Sequence, residues 1–154
     1  MPEHTGPIRR GHSGMVPKRG SMMVRVDAGY DRSVQDPRIT PLRIDADRAA
    51  GTLSLGWADG HTTDYDTVTL RWLCPCAYCR GEAGMPGWLD SNPTLTPEQT
   101  RLVDVALVGT YAIQATWGDG HATGYHTFEL LREMCPCAEC ARAREAHKGH
   151  EGDR

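Results

Sequence analysis

The chain has 154 residues, 39% hydrophobic and 24% charged, with a net charge of −3 at pH 7, which suits one ordinary domain carrying short tails. No apolar run approaches the ~20 residues a membrane-spanning helix needs, and the charge balance lacks the basic footprint of a typical nucleic-acid binder. The opening Met1-Pro2-Glu3-His4-Thr5-Gly6-Pro7 has no apolar stretch of the kind a secretory signal requires, so the expected compartment is a reducing cytoplasm in which the six cysteines are thiols.

Residues 1–36 are rich in Gly, Pro, Ser and Arg and have no sustained period, so they read as a flexible N-terminal tail. Residues 1–38 carry seven Lys or Arg against four acids, which leaves −6 for the remainder. With Tyr30 as its one aromatic residue, this segment has almost nothing to stack on bases and reads as a solvated tail. Inside it, Met22 to Val26 offers a short added strand, and its paired methionines also allow a translation start further in.

The domain is expected over 37–141, and an internal repeat organises it. Trp57-Ala58-Asp59-Gly60-His61 recurs as Trp117-Gly118-Asp119-Gly120-His121 at an offset of 60, and Tyr65 recurs as Tyr125. Leu70-Arg71 then recurs as Leu131-Arg132, and Cys74-Pro75-Cys76-Ala77-Tyr78-Cys79 as Cys135-Pro136-Cys137-Ala138-Glu139-Cys140, both at 61.

Unit one (41–80) begins with Thr52 to Trp57, whose alternation predicts a half-buried strand. Asp59-Gly60 predicts a two-residue hairpin turn and a return strand through Tyr65. Asp66 or Thr67 can cap a helix through Leu70 to Leu73, which Pro75 ends. A crossover loop at 81–100, rich in Gly and Pro, leads to unit two (101–141). Its strand runs from Tyr111 to Trp117, its turn is Asp119-Gly120, and Thr127 caps a helix through Leu130 to Met134. Residues 142–154 form a C-terminal tail that frays or extends the last helix.

One unit is too small to bury both faces of a hairpin. The two are therefore expected to join in one sheet with helices on one side, an α+β two-layer sandwich. Trp57, Trp117, Tyr65 and Tyr125 read as core aromatics.

All six cysteines fall in the two Cys-Pro-Cys-Ala-x-Cys knuckles. Three thiolates on a tight turn can converge on one Zn²⁺ and leave one position vacant, which a neutral imidazole commonly fills. His61 and His121, at equivalent places beside the turns, are the candidates. His4, His12, His126, His147 and His150 are not assigned, although His147 and His150 lie close enough to Cys140 to substitute. An iron–sulfur cluster is the competing cofactor, with three thiolates suited to a carrier that hands its cluster on. Thiol redox chemistry is disfavoured because a Cys-x-Cys disulfide is strained.

These stretches, Leu55 to His61, Leu70 to Cys79 and Val108 to Tyr125 with Leu131-Arg132, resemble the DUF971-like bacterial family related to the amino-terminal domain of gamma-butyrobetaine hydroxylase and trimethyllysine dioxygenase. The resemblance covers roughly residues 37–140. It implies a zinc site of Cys74, Cys76, Cys79 and His121, the histidine coming from the second unit. The second triplet departs from the hydroxylase pattern. If a pseudo-two-fold axis relates the units, Cys135, Cys137 and Cys140 must take His61 in return, giving a second site.

In the hydroxylases catalysis belongs to a separate 2-oxoglutarate oxygenase domain. This chain has no His followed two residues on by Asp or Glu, so no facial triad is readable. Related domains fused to P-loop ATPases suggest iron–sulfur assembly, but there is no Gly-x-x-x-x-Gly-Lys-Ser/Thr here. The expectation is a non-enzymatic zinc module that contacts other proteins, with a homodimer left open. The alternatives are an iron–sulfur carrier or assembly factor, and an accessory subunit of a 2-oxoglutarate oxygenase.

Overall fold

The structure, a computed structural model, describes residues 20–25 and 35–150. Strands β1 (Ser21–Val24), β2 (Pro41–Asp47), β3 (Thr52–Trp57) and β4 (Thr62–Asp66) form an antiparallel sheet in chain order. Helices α1 (Thr67–Trp72) and α2 (Ala77–Arg80) follow, then a two-stranded ribbon of β5 (Gly81–Glu82) and β6 (Met85–Pro86), a 3₁₀ turn at Trp88–Ser91 and helix α3 (Pro97–Thr100). Strands β7 (Leu102–Val108), β8 (Ala112–Trp117) and β9 (Tyr125–Thr127) make a second antiparallel sheet, after which come α4 (Phe128–Glu133) and α5 (Ala138–His150).

The fold is α+β, and each unit is a hairpin followed by a capped helix. Asp66 accepts from the Thr69 amide at 2.8 Å, and Thr127 accepts from the Leu130 amide at 3.1 Å, so each return strand passes directly into its helix. The two units do not share one sheet as expected. β4 ends at the cap, and residues 121–124 leave the ladder, so β9 keeps only three residues and neither strand offers a long edge to the other unit. Both sheets instead send their apolar faces into one core. Leu53, Leu55, Trp57, Tyr65 and Leu70 there meet Val105, Ile113, Trp117, Phe128 and Leu131. The edge-to-face pair of Trp57 and Phe128, centroids 6.3 Å apart, crosses between the units.

Of the tail assigned to 1–36, residues 21–24 are placed, as edge strand β1 against β2; residues 1–19 and 26–34 lie outside the described residues. At the other end α5 runs through the boundary set at 141, because nothing in Ala138 to Lys148 breaks a helix. The hairpin turns also differ from the two-residue form. Trp57 donates to the His61 carbonyl at 2.9 Å and Gly60 to the Trp57 carbonyl at 3.0 Å, closing a three-residue loop with Gly60 at φ +89°. Trp117, Gly120 and His121 repeat it with Gly120 at φ +86°. This is a turn followed by a left-handed bulge residue, where glycine is required.

The repeat slips one residue earlier than the sequence suggests. Leu53 pairs with Tyr65, and Ile113, its equivalent at offset 60, pairs with His126. His126, not Tyr125, is therefore the counterpart of Tyr65. Tyr65 and His126 are 1% and 0% exposed, whereas Tyr125 is 48% exposed and no core residue. The two counterparts make equivalent contacts across the units. The Tyr65 hydroxyl donates to the Leu131 carbonyl at 2.7 Å, and His126 Nε2 lies 3.2 Å from the Leu70 carbonyl, to which its N–H donates.

Burial holds His126 well below the usual imidazole value, at about 4 against 6.5. The native state thus keeps it neutral while the unfolded chain takes up a proton below pH 6.5, so its contribution erodes as pH falls from 6.5 to 4. His126→Gln keeps a donor for Leu70 but does not titrate. Denaturant unfolding across that window should show wild type losing up to roughly 3 kcal/mol relative to the variant; a pH-independent difference would contradict a neutral buried imidazole.

Candidate metal centre

Two clusters of ligating side chains stand where the hairpin of one unit meets the knuckle of the other. Cys74, Cys76, Cys79 and His121 bring one donor atom each within 4.8 Å of all the others, and so do His61, Cys135, Cys137 and Cys140. Either group could hold a metal ion. The knuckles are built alike. Each helix ends as its first cysteine amide returns to the arginine carbonyl of the preceding turn, Cys74 to Arg71 at 3.1 Å and Cys135 to Arg132 at 3.3 Å. Proline then turns the chain, and the second cysteine starts a new helical turn that carries the third inward, with Arg80 and Ala141 donating to the Cys76 and Cys137 carbonyls.

An arginine ties down each helix end. Arg80 donates to the carbonyls of Cys74 and Trp72, and Arg144 to those of Cys135 and Glu133 at 2.7 and 2.8 Å. The histidines are set by the turns: Asp59 and Asp119 each accept from the histidine amide two residues on, at 3.0 Å. In the first cluster His121 Nε2 lies 3.3, 3.5 and 3.7 Å from the sulfurs of Cys74, Cys76 and Cys79, and Cys74 and Cys76 sulfurs are 3.6 Å apart. In the second, His61 Nε2 lies 3.3, 3.7 and 3.6 Å from those of Cys135, Cys137 and Cys140. A tetrahedron around zinc has edges of about 3.6 Å from nitrogen to sulfur and about 3.8 Å between sulfurs. The donors already stand at those separations.

The electrostatics fit a cation at the centre. Burial pushes the Cys74 thiol up, and burial with the nearby Cys74 charge pushes Cys79 well up. Burial likewise raises Cys140, helped by its contact with Cys137. Cys76 and Cys137 are instead lowered, so at each knuckle it is the raised thiols, Cys74 and Cys79 or Cys140, whose ionisation a bound cation would favour. Burial, and after it the Arg71 charge, lowers His121, which favours the neutral imidazole a metal needs.

The contacts the sequence reading missed surround the ligands. Arg71, 1% exposed, pairs with Asp119 at 3.5 Å and lies 5.7 Å from the centroids of both Trp88 and Trp117. Its counterpart Arg132 pairs with Asp59 at 2.8 Å beneath Trp57. Recurrence of the Asp and Arg at offsets 60 and 61 was the available signal. Gly124 passes so close to Cys74 that a Cβ there would overlap the sulfur. The crossover folds back over the first cluster, so Trp88, Leu89 and Leu95 pack around Cys74 and Cys79, and Tyr78 stacks on Trp88 at 5.9 Å. His147 joins neither cluster.

A duplicated hairpin-and-knuckle domain with two crossed Cys₃His clusters is thus the class of protein in hand. Residues 44–132 match the family described as "Gamma-butyrobetaine hydroxylase-like, N-terminal", and the chain belongs to that family. It is 32% identical over 115 residues to a gamma-butyrobetaine dioxygenase from Pseudomonas sp. (strain AK-1), covering 75% of this chain but only 29% of that one. Among solved structures it resembles a DUF971-family protein of unknown function from Acidithiobacillus ferrooxidans, with 34% identity and a TM-score of 0.51, over 67% of this chain and all of that one.

Metal titration should find two ions per chain, and one in either Cys76→Ser or His61→Ala. An unchanged count in His61→Ala would remove the second site, and in Cys76→Ser the first.

Proposed function

We propose that this chain is a non-enzymatic zinc module, whose two Cys₃His sites fasten the units together and which serves another protein as an interaction or accessory domain. The observation that carries zinc is the spacing of the donors. Four donor atoms within 4.8 Å of one another suit a single ion and leave no room for a cube of four irons and four sulfides. The ligands would be Cys74, Cys76, Cys79 and His121 at the first site, and Cys135, Cys137, Cys140 and His61 at the second. Zinc bound there would lend charge neutralisation and folding energy. With four protein donors at each site, a bound zinc would have the closed arrangement of structural sites, with no position left for substrate.

The accessory role is supported by the company the family keeps. The matched region is an amino-terminal domain, and the chain spans under a third of the dioxygenase it resembles. Among the described residues no helix is long and apolar enough to cross a membrane; the six free thiols suit a reducing cytoplasm, where the proposed partner is sought.

Anaerobically purified chain should contain two zinc ions, no labile sulfide and no visible absorption. Stripping the metal should destabilise the domain severely, read as loss of cooperative unfolding, since structural zinc contributes folding energy directly. Labile sulfide with iron at stoichiometric levels would replace this reading with a cluster carrier, and turnover of 2-oxoglutarate with added Fe(II) would overturn the non-enzymatic assignment.

A further inference from the structure

The two clusters share ligands and spacing but not surroundings. At the first, Cys74 and Cys79 are both 0% exposed. Trp72, Trp88, Leu89 and Leu95 enclose them, and the Arg71 guanidinium lies 3.8 Å from the Cys79 sulfur. Three thiolates and a neutral imidazole around Zn²⁺ leave one net negative charge. A buried arginine against a ligand sulfur offsets that charge where water cannot.

At the second cluster Cys137 is partly open to solvent, as its counterpart Cys76 is at the first, and the two knuckles part at the third cysteine: Cys140 is partly open where Cys79 is buried. Glu139 stands where Tyr78 stands in the first knuckle, and Glu133 where Trp72 stands; both are exposed. Among the described residues no crossover returns over this knuckle, because the chain runs on into α5. Arg132, the counterpart of Arg71, directs both its Nη atoms to Asp59, at 3.3 and 2.8 Å.

From this asymmetry we infer that the second cluster is an exchangeable metal site, which gives its ion to a thiol-bearing acceptor in solution, while the first retains its ion. The inference rests on the zinc reading above. Exchange between thiolate sites proceeds by stepwise ligand replacement: each metal–sulfur bond to the acceptor forms as one to the protein breaks, and the acceptor's proton passes to the released protein thiol. An acceptor can approach the Cys137 and Cys140 sulfurs from solvent. At the first cluster only Cys76 is partly open, and the tryptophan and leucine cover must open before an acceptor can reach a second sulfur, Cys74 or Cys79. The two folds of one motif thereby divide into a holding site and a delivering site.

The test follows zinc leaving the fully loaded chain into excess 4-(2-pyridylazo)resorcinol, a chromogenic chelator, and then into a small dithiol. Two phases of one ion each are expected, separated by about 10- to 100-fold in rate, the usual reach of the groups surrounding a metal's ligands. Cys140→Ser should remove the fast phase and Cys79→Ser the slow one, and Trp88→Ala should speed the slow phase towards the fast. Circular dichroism on each loaded variant checks that it folds, and the assignment by Cys140→Ser stands even if Trp88→Ala does not. Equal rates, or a fast phase that Cys79→Ser abolishes, would overturn the inference while leaving two zinc sites intact. A chain that takes up fewer than two zinc ions at the loading step would refute the reading beneath it.

Discussion

The constraint on which the structure turns is that each cysteine triplet lacks a fourth ligand of its own and meets the histidine of the opposite unit. That exchange fixes how the two hairpins face each other. It needs a turn whose last residue points away from its own helix, which the three-residue loop with a left-handed glycine supplies. The return strands differ: Thr62 to Asp66 pair directly after His61, whereas residues 121–124 stay outside the ladder after His121. Other contacts follow the same crossing: Asp119 to Arg71, Asp59 to Arg132, Tyr65 to Leu131 and His126 to Leu70. Each links one unit's hairpin to the other's helix.

Crossed contacts change what the cooperative unit is. A hairpin with one helix buries too little to persist alone, and here a buried polar group of each hairpin, the Tyr65 hydroxyl or His126 Nε2, is paired with a carbonyl of the other unit. The Tyr65 hydroxyl donates to the Leu131 carbonyl inside the core, so losing the hydroxyl while the core stays closed would leave that carbonyl unpaired at a cost of about 1–3 kcal/mol. The two repeats thus share one main core within a single chain, with a smaller cluster around the first knuckle.

Much of this was legible in the sequence because it is written twice. A lone His61 carries almost no information, but His61 and His121 beside repeated turns and repeated triplets define a geometry, and symmetry then supplies the crossing. The helix caps at Asp66 and Thr127 were readable from side-chain chemistry. What failed was strand register and strand pairing. Tyr125 looked like the mate of Tyr65 because like residues align, yet the mate is His126, since register is set by pairing with Ile113 and not by residue type. The split into two sheets was hidden for a related reason. Alternation reports which face is buried and says nothing about which edge pairs.

The crossover shows how a duplicated domain acquires two different sites without changing a ligand. Residues 81–100 have no counterpart in the described part of unit two, and they pack on one knuckle only. Gly81 and Gly87 make this possible: a Cβ on either would overlap backbone, of β6 for the first and of the knuckle's end for the second, so the ribbon lies against the knuckle only as glycine allows. Trp88 is thereby brought over Arg71, and the arginine's charge, now flanked by two tryptophans, faces the Cys79 sulfur and Asp119. The same arginine in unit two has no such roof and stays partly in solvent beside Asp59. Dielectric environment, and not donor set, is therefore the variable that separates the two clusters. Because a charge is felt more strongly the drier its surroundings, the linker between the repeats sets the electrostatic surroundings of a knuckle to which it contributes no cysteine or histidine.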